Sequence, residues 1–149
     1  MAVTGETSDL LISRIGQLSR LSAQVIDEEL KPLGISYQEM RIVGLLMGES
    51  GITQKVLAKK LSVRPATLSV AITRLEQQGL VTRRLSNEDK RVQYLTLKAN
   101  KKISTVDSRL QKLESEMCKD IPVKDLKVAK AVLGKLIDNL YATLNHSKE

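Results

Sequence analysis

The residues best suited to specific binding form a run of hydroxyl-bearing and basic side chains in the middle of the chain. On a helix that starts near Pro65, the outward positions would hold Arg64, Thr67, Ser69, Thr73 and Arg74, together with Ala66 and Val70. Short hydroxyls can hydrogen-bond phosphates or base edges, and small side chains can lie deep in a major groove without clashing. This set therefore predicts noncovalent recognition of a nucleic acid.

A second basic cluster surrounds a polar turn. Arg83 and Arg84 precede the turn Ser86-Asn87-Glu88-Asp89, and Lys90 and Arg91 follow it. An arginine near the tip of such a turn can enter a minor groove, where the phosphates on both sides strengthen the negative potential. The turn is therefore predicted to contact the same partner as the helix before it.

The net charge of +7 is unevenly distributed along the 149 residues. Residues 36–100 carry eleven Lys and Arg against five Asp and Glu, a net of +6, whereas residues 1–35 carry −2 and residues 101–149 carry +3. A localised basic surface is typical of a protein with a polyanionic partner. The chain has no Trp or Phe and only three Tyr, so it lacks the aromatic side chains on which single strands usually stack. Duplex is therefore the favoured nucleic acid.

Helical periodicity precedes these clusters. A first helix is predicted from about Ser8 to Lys31, and the 32–34 segment, with a proline and a glycine, ends it. Ser36 and Glu39 form the capping-box pattern of a second helix, which ends before Ser50-Gly51. The apolar stripe of the first helix comprises Leu11, Ile15, Leu18 and Val25, flanked by Leu10, Leu21 and Ile26, and the second helix is expected to turn Met40, Val43, Leu46 and Met47 inward.

Two shorter helices and a hairpin hold the candidate binding residues. The third helix is predicted to start at Thr53, and the fourth runs from Pro65 to about Gln78, where Gly79 stops it. The period then changes toward two, which predicts short strands at 81–83 and 92–95. The expected core positions are Val56, Leu57 and Leu61 on the third helix and Leu68, Ile72 and Leu75 on the fourth. Two short helices joined by a bend and followed by a hairpin are the parts of a winged helix-turn-helix.

Two further helices complete the predicted fold. Thr96 is expected to cap the fifth helix, and Pro122 separates it from the sixth. Their apolar seams comprise Ile103, Val106, Leu110, Leu113 and Met117 on the fifth helix, and Leu126, Leu133 and Leu140 with Ala129, Leu136 and Leu144 on the sixth. The predicted fold is mostly α with a small β-wing, in the order α-α-α-α-β-β-α-α. We expect a dimerisation helix at 1–35, a DNA-binding lobe at 36–97 and dimerisation helices at 98–149.

Eight short motifs follow one another through the central region. They are Ile52-Thr53-Gln54, Leu57-Ala58, Leu61-Ser62-Val63, Thr67-Leu68-Ser69, Arg74-Leu75-Glu76, Gly79-Leu80-Val81, Asp89-Lys90-Arg91 and Leu95-Thr96. Together they resemble the MarR family of bacterial transcriptional regulators, and the resemblance covers almost the whole chain.

The resemblance implies a role for individual residues. Thr67, Ser69 and Thr73 would face the groove, and Arg91 would enter the minor groove with Asp89 orienting it. With Arg64, Arg74, Arg84 and Lys90 these complete the predicted DNA-binding set. Val70 stands where many members carry a basic residue, and Asn100 stands where a glycine is frequent. The stretch from Arg91 to Thr96 is shorter than the family pattern, which predicts a shortened second wing strand.

Assembly and regulation follow from the same features. Three apolar helix stripes exceed what one small domain needs to cover, so we expect a homodimer built from the first, fifth and sixth helices. A dimer would present two recognition helices to a palindromic site with half-site centres about one helical turn apart. The resemblance implies a repressor that a small effector, often an anionic aromatic compound, releases by binding between the dimer helices and the DNA lobe.

Other functional classes have less support. The chain has no Ser-His-acid set, no nucleotide-binding glycine loop and no apolar-framed carboxylate pair, so no enzyme is predicted. One cysteine, Cys118, and one histidine, His146, cannot supply three or four metal ligands, so no metal or other cofactor is predicted.

Two alternatives stay open, a regulator that senses oxidation of Cys118 and a winged helix that binds protein as an adaptor. Nine Lys and Arg against three Asp and Glu in residues 55–91 favour DNA over the adaptor. The sequence contains no run of eighteen apolar residues, and its first residues show no signal-peptide pattern, so no membrane association is predicted. The lone cysteine fits a reducing cytoplasm, which is the predicted location.

Overall fold

The computed structural model describes residues 9–49 and 51–147. The predicted start of the first helix at Ser8, most of the segment searched for a signal peptide, and Ser50 after the second helix lie outside these residues. The described chain divides into two compact units, and the division falls between Leu110 and Gln111.

The secondary structure follows the predicted order closely. The elements are α1 (Leu11–Leu30), a 3-10 turn (Lys31–Leu33), α2 (Tyr37–Gly48), β1 (Ile52–Thr53), α3 (Gln54–Leu61), α4 (Pro65–Gln77), β2 (Val81–Leu85), β3 (Gln93–Leu97), α5 (Lys101–Met117) and α6 (Val123–His146). The prediction of a mostly α fold with a small β-wing is confirmed. The strand β1, which is too short to reveal an alternating pattern, was not predicted.

Local side-chain chemistry sets the helix boundaries. Ser36 Oγ accepts a hydrogen bond from the Glu39 N–H at 3.2 Å, and a Glu39 carboxylate oxygen accepts one from the Ser36 N–H at 3.0 Å. This capping box satisfies two N–H groups that the start of α2 would otherwise leave unpaired. Thr53 caps α3 by accepting from the Val56 N–H, and Gly79, with a φ of 72°, ends the turn after α4.

The three strands form an antiparallel sheet in the order β1-β3-β2. The register pairs Val81 with Leu97 and Leu85 with Gln93, so both wing strands are five residues long and fully paired with each other. The expectation of a shortened second strand is therefore wrong. We call residues 81–97, which hold both strands and the turn between them, the wing.

The core of the first unit is formed by one face each of α2, α3 and α4 and by the inner face of the sheet, and Leu30 of α1 and Val106 of α5 complete it. Leu68, Ile72 and Leu75 are fully buried, as predicted. Met47 and Val56 are exposed, and the expectation that they face inward is wrong. The buried face of α2 instead includes Ile42, and that of α3 includes Ala58. Because each residue along a helix rotates the side chain by about 100°, the buried face of each helix is turned away from the predicted one.

The start of α5 also differs from the prediction. Thr96 lies within β3 and does not cap a helix. Asn100 provides the side chain at this end, and its Oδ1 accepts a hydrogen bond from the Lys102 N–H at 2.8 Å. Val106 is buried, and Ile103 and Leu110 pack partly buried against the core of the first unit.

The second unit contains the end of α5 and all of α6. Lys130 on α6 forms an ion pair with Glu114 at 3.4 Å. Many apolar residues of α6 are exposed in the single chain, among them Val128, Val132, Leu133, Ile137, Leu140 and Leu144. Among the helices of the described residues, none combines the length and the apolar character that crossing a membrane requires.

Candidate nucleic-acid interface

The outer face of α4 is the first part of the candidate interface. The helix is fixed by its buried leucines and Ile72, and its other face turns Thr67, Val70 and Thr73 to solvent, with Ser69 partly exposed. Arg64 occupies the N-cap position before Pro65 and is exposed. The structure therefore brings the helical residues of the predicted set onto one surface.

The bend before α4 sets the angle of this helix to α3. Ser62 ends α3 in the left-handed region, with a φ of 53°, and its N–H donates to the Lys59 carbonyl. A non-glycine residue rarely adopts this conformation, so the turn is held by its neighbours. Arg41 on α2 contributes by donating to the carbonyl of Leu61 at 2.9 Å.

Thr73 makes two polar contacts inside the protein. Its Oγ1 donates to the Ser69 carbonyl at 2.9 Å and accepts a hydrogen bond from Arg83 Nη2 at 3.0 Å. A hydroxyl has one donor and two acceptor sites, so a single acceptor site and the methyl group are left for a ligand. Thr73 is thus partly committed to the junction between α4 and the wing.

Arg83 lies at the centre of that junction. Besides Thr73, it contacts Glu76 on α4, with Nε 3.0 Å from Oε2, and Gln93 on β3, with Nη1 donating at 3.4 Å. Arg83 belongs to the predicted basic hairpin but not to the predicted binding set. Strand alternation was the available signal, because Arg83 shares the face of β2 with the buried Val81, whereas Arg84 lies on the exposed face.

Arg74 has a partner in the interior. Its Nε lies 3.1 Å from an oxygen of Glu39, which is 1% exposed, while the Arg74 side chain is 59% exposed. The other Glu39 oxygen holds the Ser36 N–H in the capping box. Arg74 therefore compensates a buried carboxylate and still presents part of its guanidinium to solvent.

The wing tip is held by hydrogen bonds of its own. Ser86 Oγ accepts from the N–H groups of Glu88 and Asp89, at 3.2 and 3.3 Å. The Ser86 N–H donates to the Val92 carbonyl, and the Val92 N–H donates to the Asp89 carbonyl, both at 2.9 Å. These bonds close the turn that joins β2 to β3 and fix the backbone at its tip.

The basic residues of the tip face solvent. Asp89 Oδ1 accepts from the Arg91 N–H at 2.9 Å and lies 3.6 Å from Arg91 Nε, so the carboxylate contacts both the backbone and the guanidinium. The Arg91 side chain is 94% exposed, and Lys90 and Arg84 are exposed beside it. Arg91 therefore contacts Asp89 through its backbone and its Nε, and most of its guanidinium faces solvent.

A cavity of about 340 Å³ lies next to Arg74. It is lined by Asp27, Lys31, Gly34, Ile35, Ser36 and Arg74, which belong to the end of α1, the following turn and α4. Its largely apolar wall carries two cations, Lys31 and Arg74, and one carboxylate, Asp27. The described residues hold no group of three or more His, Cys, Asp or Glu side chains placed to bind a metal.

Comparison with known sequences gives matches over most of the chain. A profile of the MarR family matches residues 33–92. The HTH-type transcriptional regulator YwoH of Bacillus subtilis strain 168 is 34% identical over 117 residues, which are 77% of this chain and 85% of that protein. The organic hydroperoxide resistance transcriptional regulator of the same organism is 31% identical over 134 residues, 80% of this chain and 84% of that protein.

Solved structures share the fold at lower identity. A MarR transcriptional regulator from Methanosarcina mazei Go1 superposes with a TM-score of 0.77 at 20% identity, covering 87% of this chain and 94% of its own. MepR of S. aureus, in a complex with DNA, gives 0.73 at 21% identity, with 88% and 96% covered. CouR from Rhodococcus jostii RHA1, bound to p-coumaroyl-CoA, gives 0.75 at 17% identity, with 87% and 92% covered. At these identities the superpositions show the shared winged-helix fold.

Proposed function

The chain belongs to the MarR family of transcriptional regulators, and we propose that it is a sequence-specific regulator that binds duplex DNA. The observation that carries the proposal is the pairing of two surfaces in one unit, the outer face of α4 and the wing tip. The outer face of α4 carries hydroxyl-bearing and small side chains, and the wing tip carries three exposed cations beside the acidic Glu88 and Asp89. Hydroxyls and cations are the groups that groove and phosphate contacts require. The DNA complex of MepR, whose fold this chain shares, supports the assignment.

We assign different tasks to the two surfaces. Thr67 and Ser69 on α4 read base edges, and Thr73 lies beside them with its remaining acceptor site. Arg91 enters the minor groove with Asp89 orienting it, while the surrounding cations contact phosphates. Those cations are Arg64, Arg74, Arg84 and Lys90.

We propose that the regulator is a homodimer and acts as a repressor on a palindromic operator in the cytoplasm. Residues 36–97 form the binding lobe, and residues 1–35 and 98–149 supply the dimer helices. The exposed apolar residues of α1 and α6 support this division, since a monomer would leave these faces against water. Repeating the lobe by a two-fold axis would place two α4 helices on one face of the duplex.

A small anionic effector is the second part of the proposal. The cavity beside Arg74 has a volume at the lower end of the range for small-ligand sites. Arg74 lines the cavity and belongs to α4, so an anion bound there would compete with Glu39 for the same guanidinium and could shift the position of α4. The structure of CouR, which has this fold, holds p-coumaroyl-CoA and supports a ligand-responsive regulator.

The test begins with selection of bound sequences from a random duplex pool. Affinity for the selected duplex and for a scrambled one is then measured as salt is raised, and we expect a steep loss of affinity for both. Thr67→Ala and Ser69→Ala should reduce discrimination between the two duplexes. Thr82 is an exposed threonine on β2, and Thr82→Ala, which also removes a side-chain hydroxyl, should leave discrimination between the two duplexes unchanged.

Two results would contradict the proposal. Enrichment of no sequence would remove specificity, and binding that is insensitive to salt would remove the phosphate contacts. A chain that gave both results and bound a protein through α4 or the wing would belong to the adaptor class.

A further inference from the structure

We propose that Arg83 is a positioning residue that sets the angle between the wing and α4, so that both surfaces reach the duplex together. The proposal rests on the proposed function and adds a residue that does not touch DNA. Arg83 would act through Arg91 at the wing tip and through Thr73 on α4, with no phosphate contact of its own.

The contacts of the guanidinium carry the proposal. Nη2 donates to Thr73 at 3.0 Å and Nη1 donates to Gln93 at 3.4 Å, while Nε forms an ion pair with the Glu76 carboxylate at 3.0 Å without the geometry of a hydrogen bond. Two of these partners lie on α4, three residues apart on one helical face, and the third lies on β3. A planar guanidinium can make these two hydrogen bonds and the ion pair at once, whereas a lysine ammonium is a single point charge without a fixed plane.

Burial separates Arg83 from the other wing cations. Its side chain is 24% exposed, and strand pairing places it diagonally across from Gln93 on the same face of the hairpin. The next residue, Arg84, has the same charge and lies on the exposed face of β2. The pair therefore offers two adjacent arginines of which only one links the wing to α4.

The position of Arg83 near the base of the wing makes its contacts matter at the tip. The tip lies about five residues farther along the hairpin, or roughly 16 Å at the rise of a β-strand. A rotation of about 10° at the base would move the tip by roughly 3 Å over that length, farther than a hydrogen bond tolerates. A wing without this link would leave Arg91 free to miss the groove.

The experiment compares matched variants of the full chain on the selected duplex: Arg83→Lys, Arg84→Lys and Glu76→Gln. Arg83→Lys keeps the charge but cannot hold all three partners, and we expect about tenfold weaker binding, equivalent to about 1.4 kcal/mol. Arg84→Lys, the matched change at the exposed neighbouring arginine, keeps a cation for its proposed phosphate contact and serves as the control in the combination with Arg91→Ala. Glu76→Gln removes a negative charge, so simple electrostatics predicts tighter binding, whereas positioning predicts weaker binding.

Each variant is also combined with Arg91→Ala, which measures whether the tip is still engaged. If Arg83 positions the wing, Arg91→Ala should weaken the Arg83→Lys protein less than twofold, but should keep its full effect beside Arg84→Lys. Circular dichroism at the assay temperature confirms that each protein is folded. If Arg83→Lys is unfolded, the affinity of Glu76→Gln, a substitution at the surface of α4, is compared with that of the parent, alone and in combination with Arg91→Ala.

Three outcomes would overturn the proposal. They are parent-like binding by Arg83→Lys, tighter binding by Glu76→Gln, and effects of Arg83→Lys and Arg91→Ala that multiply independently. A parent chain that binds no duplex would instead overturn the proposed function, so the two failures are distinguishable.

Discussion

The ion pair between Arg74 and Glu39 leads to a prediction about stability. Arg74→Ala removes the cation 3.1 Å from a carboxylate that is 1% exposed, and leaves that carboxylate with the Ser36 N–H as its remaining partner in the capping box. A buried charge without its partner is strongly unfavourable, because neither water nor another cation replaces the missing interaction. We therefore expect the substitution to destabilise the fold, apart from any effect on DNA binding.

The magnitude depends on how much water reaches the vacated position. Removing one partner of a fully buried pair typically costs about 3–5 kcal/mol. Arg74 is itself 59% exposed, so solvent already screens part of this interaction and can enter after truncation. The free energy of unfolding should therefore fall by a smaller amount, about 1–2 kcal/mol. For a chain of this size that change corresponds to a fall in the unfolding midpoint of roughly 2–8 °C.

Urea unfolding followed by circular dichroism measures the effect. Arg64→Ala is the matched control, since it removes the same charge from an exposed position at the start of the same helix and should change stability by less than about 0.5 kcal/mol. In a Glu39→Gln background the buried charge is gone, and Arg74→Ala should cost less than it does in the parent. An equal cost in both backgrounds, or no cost in the parent, would refute the reasoning.

Three further predictions concern the proposed function. Arg91→Ala should weaken binding to every duplex by roughly five- to thirtyfold, and it should reduce the slope of affinity against salt by about 0.9 for each phosphate that the arginine neutralises. Lys127→Ala on α6 is the control and should change neither quantity. Unchanged affinity in Arg91→Ala would show that the wing is not part of the interface. The chain should sediment as a dimer near 33 kDa, twice its 16.5 kDa, and Leu140→Glu should dissociate it; a folded parent monomer at micromolar concentration would contradict this. Cys118→Ser should bind DNA like the parent, and mild peroxide should alter neither protein; release of the parent alone would make oxidation of Cys118 the switch.

The helices of the lobe were predictable because local rules and packing agree there. The spacing of Leu68, Ile72 and Leu75 follows one helical face, and Pro65 and Gly79 mark the ends with backbone preferences of their own. Since these signals are all local, the sequence predicts which face of α4 is buried and which face is exposed.

Predictions failed where the apolar stripe of a helix is wider than the face that becomes buried. The stripe of α2 includes Met47 as well as Ile42, and that of α3 includes Val56 as well as Ala58, so periodicity alone does not centre the buried face. The three-dimensional arrangement decides between them, and it buries the smaller Ala58 where α3 packs closely. Thr96 failed for a similar reason, since threonine suits both a helix cap and a strand, and the pairing of β3 with β2 decides for the strand.

The site itself was predictable as a set of residue types but not as a set of interactions. Arg64, Thr67 and Arg91 reach solvent as the sequence predicts. The partners of Arg74 and Thr73, in contrast, lie 35 and 10 positions away in the chain, on α2 and β2. Nothing in a local pattern encodes those distances, because they arise from packing α4 against two other elements.

This difference determines how substitutions on α4 should be interpreted. Thr73 and Arg74 join α4 to the wing and to α2, so weaker DNA binding after their removal would combine a missing DNA interaction with a displaced helix. Thr67 lies on the exposed face in the first part of α4, before these links. Its truncation should leave both links in place, so a loss of sequence discrimination in Thr67→Ala would report base reading directly. Thr73 and Arg74 thus hold α4 in place and also belong to the predicted DNA-binding set. Thr67, in the early part of α4, belongs to that set without making either link.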